Sequence, residues 1–120
     1  MPSYDRNKQR LKRIIQHCNE VEKIVARFGK SIETFADDFV YQSSCTMCIM
    51  QIGELSSRFS HDFQAQHTTI PWKELKGMRN IIVHEYDKTD YGEIWKTVID
   101  DVPILKKQCE EILHALDGEG

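Results

Sequence analysis

The chain has 120 residues, 40% of them hydrophobic and 29% charged, with a formal net charge of −3. That length holds one core and is short for two, so a single domain over residues 1–120 is expected. The composition excludes disordered and fibrous classes, no stretch is apolar for long enough to span a membrane, and the start is charged with no apolar signal segment, so a cytoplasmic protein is expected.

The charge is unevenly spread. Residues 1–30 carry eight Lys/Arg against three Asp/Glu, and the remainder carries eight against sixteen. Arg6, Lys8, Arg10, Lys12 and Arg13 form a basic stripe that suits phosphates, a solvated helix face or an acidic partner surface.

The first helix is expected from Ser3 or Tyr4, with Ser3 as its cap, to Phe28, where Gly29 supplies a left-handed stop. Leu11, Ile14, Cys18, Val21, Val25 and Phe28 recur at spacings of three and four, the stripe of a packed helix. So long a stripe favours a nearly antiparallel partner helix or a second copy of the chain.

Ser31–Phe35 reads as a single turn. Asp37 and Asp38 suit the start of a second long helix that ends near Phe59 or Ser60, with Tyr41, Cys45, Cys48, Ile52, Leu55 and Phe59 on its buried face. Gly53 interrupts it. A glycine inside a helix costs about 1 kcal/mol relative to alanine, which points to another backbone passing close by. Glu54 beside it is either a carboxylate needing a partner at that contact or an ordinary surface residue. Cys45-Thr46-Met47-Cys48 has the CxxC spacing of metal ligands, but Cys18 and Cys109 stand singly and far off. All four fall on apolar stripes, so reduced core cysteines and no metal site are expected.

Ser60–Thr69 lacks periodicity and reads as a connection with room for one helical turn, leaving His61 and His67 exposed. Pro71 suits the first turn of a third main helix, whose Trp72, Leu75, Met78, Ile82 and Tyr86 share a face. Gly77 is read as a second close approach. Asp90 caps a helix bearing Ile94, Trp95, Val98 and Ile99 to about Asp100. Asp101 and Pro103 then mark a separate last helix with Leu105, Cys109, Ile112 and Leu116 buried. With no alternating strand pattern anywhere, the class is all-α, a bundle of four to five principal helices.

The chemistry concentrates in Met78-Arg79-Asn80-Ile81-Ile82-Val83-His84-Glu85-Tyr86, where polar residues interrupt a run that belongs in a core. Asn80 and His84 are four apart and share a face, as do Arg79 and Tyr86, seven apart; Arg79 and His84 lie about 140° apart around the helix. They converge if the arginine wraps round or if a second subunit brings its own copy alongside. Histidine passes protons near neutral pH, and arginine stabilises charge on a phosphoryl group. With no carboxylate cluster, phosphate loop or Ser/Cys nucleophile set, the natural reaction is metal-free RNA cleavage, in which the substrate's own 2′-OH attacks. A helix that merely ends in a half-buried Arg and His satisfies the same spacing.

Arg79-Asn80-x3-His84-x-Tyr86, preceded by Ile52-Gly53-Glu54 and Ile70-Pro71-Trp72 and followed by Trp95 and Val102-Pro103-x-Leu105, resembles the HepT-like members of the HEPN superfamily. The likeness runs from Arg10-Leu11 to Leu116. It implies a helical bundle that forms a homodimer, with the Arg-x4-His motifs of both subunits at a cleft between them. It implies the toxin of a toxin–antitoxin pair that cleaves RNA without metal or cofactor, with Arg79 and His84 as the catalytic pair and Asn80 supporting them. Tyr86 becomes the acceptor for adenylylation by the cognate antitoxin, a small nucleotidyltransferase. The alternative is a non-catalytic helical module that binds a nucleotide or serves only as the partner of a nucleotidyltransferase.

Overall fold

A computed structural model describes residues 3–84 and 90–119, and among these every regular element is helical. The first, α1 (Ser3–Phe28), is helical from the first described residue. It buries Leu11, Ile14, Cys18 and Val21 almost completely, with Val25 and Phe28 packed at the margin of the core. Gly29 ends it at φ 104°, a conformation open to glycine and strained for other residues. The Gly29 carbonyl accepts both the Ser31 N–H and the Tyr41 hydroxyl, each at 3.0 Å.

Side-chain caps set the next two starts. Ser31 Oγ accepts the Thr34 N–H and opens α2 (Ile32–Asp37). Asp38 Oδ1 accepts the Tyr41 N–H at 3.0 Å and opens α3 (Phe39–Ser56). This helix ends three or four residues earlier than its apolar pattern suggests. The Ser56 hydroxyl donates to the Ile52 carbonyl and the Ser57 hydroxyl to that of Glu54, so side chains take up carbonyls the helix would otherwise use. Phe59 still reaches the core, from a turn.

Ser60 caps α4 (His61–Gln66), the one turn expected in that connection. α5 (Trp72–His84) starts just after Pro71. Trp72, Leu75 and Met78 pack against the core and Ile82 is buried in it, as their shared face predicts. Asp90 Oδ1 accepts the Gly92 N–H at 2.7 Å and opens α6 (Tyr91–Lys96).

The expected break at Asp101 and Pro103 does not occur. α6 passes through a π-helical stretch, Thr97–Asp101, directly into α7 (Val102–Glu119). Pro103 has no N–H to give to the Ile99 carbonyl, and a proline ring crowds the carbonyl four residues before it. The wider turn just upstream lets the helix continue past both problems.

α1 lies in the middle, against α3 on one side and α7 on the other, and α5 packs on α3. Two aromatic clusters hold the ends. Phe35, Tyr41 and Trp95 meet at centroid distances of 5.0–6.0 Å, which ties α2 and α3 to α6. Phe59, Phe63 and Trp72 meet at 4.7–6.2 Å, with the Trp72 indole N–H donating to the His67 carbonyl, which fixes where α5 begins. No described helix is long and apolar enough to cross a membrane.

All four cysteines are free thiols in the core. Burial, the largest influence on each, pushes Cys18, Cys45 and Cys109 from an ordinary value near 9 up to about 12, and Cys48 to about 11. A thiol that holds its proton more tightly when folded leaves stability unchanged below the unfolded pKa and lowers it above. Stability measured by urea unfolding therefore falls as pH rises from about 9 towards 11, by at most about 1.4 kcal/mol per thiol per pH unit. Cys109→Ala makes that slope shallower. An unchanged slope in the variant would contradict this account.

Candidate active site

The polar residues of α5 are held where it crosses α3. A Cβ added to Gly53 would lie 2.5 Å from Arg79 Cβ and 3.2 Å from the Leu75 carbonyl oxygen, so only glycine lets the two helices approach this closely. Gly77, expected to do the same, does not: a Cβ there would meet nothing within 4 Å among the described residues. With the helices this close, the carboxylate next to Gly53 reaches the arginine. Arg79 Nε donates to Glu54 Oε1, and Arg79 Nη1 donates to Asn80 Oδ1 at 2.9 Å.

The arginine is thus gripped from two directions. Its side chain is 32% exposed and that of Glu54 33%, which places the pair at the border between core and solvent. There an ion pair is only partly screened, and its main effect is to fix a guanidinium in one posture. Charge-assisted bonds in two directions restrict Arg79 more than either would alone. An arginine fixed in this way meets an anionic group without first losing its rotamer freedom.

Arg79 and Asn80 are therefore brought together, along with Glu54, which the sequence offered only as one of two readings. The signal was there in the Gly53-Glu54 pair, but the identity of the partner was not. His84 is the last described residue of α5, about 7.5 Å along the axis from Arg79. Tyr86, the expected acceptor of a nucleotidyl group, lies outside the described residues.

The N-terminal basic stripe divides. Lys8 pairs with Asp117 of α7 at 2.9 Å. Arg10 turns the other way, with its guanidinium 6.0 Å from the centre of the Phe59 ring. Partial burial, with the neighbouring charges of Arg6 and Arg58, lowers its pKa from the usual arginine range. Arg58 joins this positive surface from the turn after α3, a contribution the linear charge count did not reveal. Of the two histidines in the connection, His61 is exposed, whereas His67 is half-buried with its ring 4.4 Å from that of Phe63. The expectation of exposure fails for His67, because the aromatic cluster at the start of α5 takes it in.

The architecture is a HEPN-like all-α bundle. A profile of the family described as "Ribonuclease HepT-like" matches residues 13–112. "Putative RNase TTE0752" of Caldanaerobacter subterraneus subsp. tengcongensis is 36% identical over 105 residues, covering 87% of this chain and 91% of that protein. "Putative RNase MJ1380" of Methanocaldococcus jannaschii is 33% identical, covering 87% of this chain and 97% of its own length. "Probable ribonuclease HepT" of Thermococcus cleftensis is 32% identical, covering 82% and 91%. No solved structure matches the chain. The chain belongs to the HepT-like ribonuclease family.

Because the Gly53 contact involves backbone as well as side chain, it has little room to yield. Gly53→Ala is expected to lower stability by about 1–3 kcal/mol, the usual cost of overpacking, despite the better helix propensity of alanine. Urea denaturation checks this, with Gly77→Ala as the contrast, which is neutral or stabilising.

Proposed function

We propose that the protein is a metal-independent endoribonuclease, the toxin of a toxin–antitoxin pair, acting as a homodimer with Arg79 and His84 as its catalytic residues. The observation that carries this reading is the fixed arginine: Glu54 and Asn80 hold Arg79 at the core–solvent border of the helix that also carries His84. Family membership and the names of the relatives support the ribonuclease class.

In this reading the 2′-OH of RNA gives up its proton to a neutral imidazole as its oxygen attacks the adjacent phosphorus. The P–O5′ bond breaks and the departing oxygen takes a proton, leaving a 2′,3′-cyclic phosphate and a free 5′-OH. His84 serves as the proton carrier, and the two copies in a dimer supply one base and one acid. Arg79 stabilises the extra negative charge on the phosphoryl oxygens as the new bond forms, and Asn80 keeps its guanidinium in plane. The 140° between Arg79 and His84 favours a site completed by two chains. Phe39, 72% exposed, stands with Val40 and Met47 as apolar surface on the helix against which α5 packs, which also suits a second subunit.

RNA cleavage is expected to persist in excess EDTA and to be lost in His84→Ala and in Arg79→Ala, with circular dichroism unchanged. General acid or base catalysis contributes about 10²- to 10⁴-fold, so the histidine variant should fall by at least about 10²-fold. Cleavage that needs a divalent ion, or runs at full rate without His84, would leave the non-catalytic binding module as the better reading.

Control by a cognate nucleotidyltransferase antitoxin belongs to the same proposal. Tyr86 is seven residues beyond Arg79, on the same helical face if α5 continues. AMP attached to its hydroxyl would set a phosphate beside Arg79, where it competes with RNA phosphate for the guanidinium while its bulk obstructs the cleft. Incubation with the antitoxin and ATP should add AMP to the wild-type protein, abolish cleavage without unfolding, and leave Tyr86→Phe unmodified by intact-mass analysis. AMP on the phenylalanine variant, or full activity after modification, would refute this control.

A further inference from the structure

We propose that His17, Glu20 and Cys48 form a binding site for a divalent transition-metal ion of the zinc class, joining α1 to α3. His17 and Glu20 are three apart on α1 and share a face, while Cys48 comes across from α3. His17 Nδ1 lies 3.3 Å from Glu20 Oε2, and the same carboxylate oxygen lies 3.7 Å from Cys48 Sγ. All three donor atoms fall within 4.8 Å of one another, and no other group of three such donors does so among the described residues.

These separations resemble those around a tetrahedral ion. Zinc binds nitrogen and oxygen at about 2.0–2.1 Å and sulfur at about 2.3 Å, which puts neighbouring donors roughly 3.3–3.6 Å apart. Two edges of the triangle are thus at or near their bound length before any ion arrives, and the third, between His17 and Cys48, lies within 4.8 Å and has to close by at most about 1.2 Å. An imidazole, a carboxylate and a thiolate together suit zinc or cobalt and are a poor set for magnesium or calcium, which prefer oxygen alone.

The surroundings fit as well. Cys48 is buried, the His17 side chain is 17% exposed and that of Glu20 41%, so the sulfur lies at the dry end and the carboxylate at the wet end. A water molecule would supply the fourth ligand of the tetrahedron. When the metal–sulfur bond forms, the Cys48 thiol proton passes to solvent and the Glu20 oxygen exchanges that proton for the ion. The other half of the CxxC spacing, Cys45, is fully buried and outside the donor set. The site therefore uses one cysteine of that pair and takes its remaining ligands from a different helix. Cys48 stands about 9 Å along α3 from Glu54, so an ion here would brace the helix that holds Arg79 while taking no part in the proposed chemistry.

Metal-stripped protein, kept reduced without a thiol, is titrated with Co²⁺ and then with Zn²⁺. The expected result is one equivalent of Co²⁺ giving a thiolate-to-cobalt charge-transfer band and the strong visible bands of tetrahedral cobalt, all displaced by Zn²⁺. Cys48→Ser should abolish the charge-transfer band, and His17→Ala, at a partly exposed position that leaves the core intact, should weaken binding at least tenfold. Zn²⁺ should also raise the melting temperature of the wild type and not that of His17→Ala. Absence of the charge-transfer band in the wild type, or its survival at full affinity in either variant, overturns the proposal. Neither readout uses RNA cleavage, so the result is independent of the ribonuclease reading.

Discussion

Much of the candidate site depends on how closely two helices can pass. Where α3 crosses α5, a missing Cβ at Gly53 brings the backbone of one helix against the side-chain root of Arg79 on the other. That closeness is what puts Glu54 within reach of the guanidinium, since a carboxylate on a two-carbon stem has little range. A larger residue at 53 would push the helices apart and lengthen the Glu54–Arg79 contact first. Packing and electrostatics here are one constraint, because the steric vacancy in α3 sets the geometry of the charge pair.

The same crossing explains why polar residues are tolerated beside Ile82, which is buried. Arg79 costs little at a border position because both of its described contacts are to acceptors, one anionic and one an amide oxygen. Glu54 is likewise satisfied by the residue it holds. The apolar faces of α3 and α5 meet on the core side of this pair, and the arginine keeps about a third of its surface open to solvent. Stability and availability to a ligand are both met by that partial burial.

How much of this the sequence disclosed follows from the range of each interaction. Gly29, Asp38 and Asp90 act on atoms two to four residues away, and the helix limits they set were legible at once. The buried stripes were legible too, because Leu11 to Val21 and Tyr41 to Leu55 report a helical period without reference to any partner. The end of α3 was not, since Ser56 and Ser57 stop it through hydroxyl bonds that the apolar pattern outlasts. Gly53 and Gly77 look alike in the chain, and only the arrival of α5 makes one of them necessary. Arg79 as the partner of Glu54, twenty-five residues away, and Arg58 as a neighbour of Arg10 both depend on helix pairing, which no local pattern encodes.

The π-helical stretch at Thr97–Asp101 has an effect on phase. Ile94, Val98 and Val102 are buried at successive spacings of four, and Leu105, Cys109 and Ile112 continue at three, four and three. In a regular α-helix each step of four overshoots a full turn by about 40°, so two such steps would rotate the later stripe well away from the earlier one. A turn that takes more residues absorbs the overshoot and keeps both stripes in line along the same side of the bundle. The stretch thus acts as a register shifter, letting α6 meet the aromatic end of the bundle and α7 meet α1 as parts of one uninterrupted rod. Removing a single residue from it would turn one stripe by about 100° relative to the other, and the chain could then bury one of them only by exposing the other.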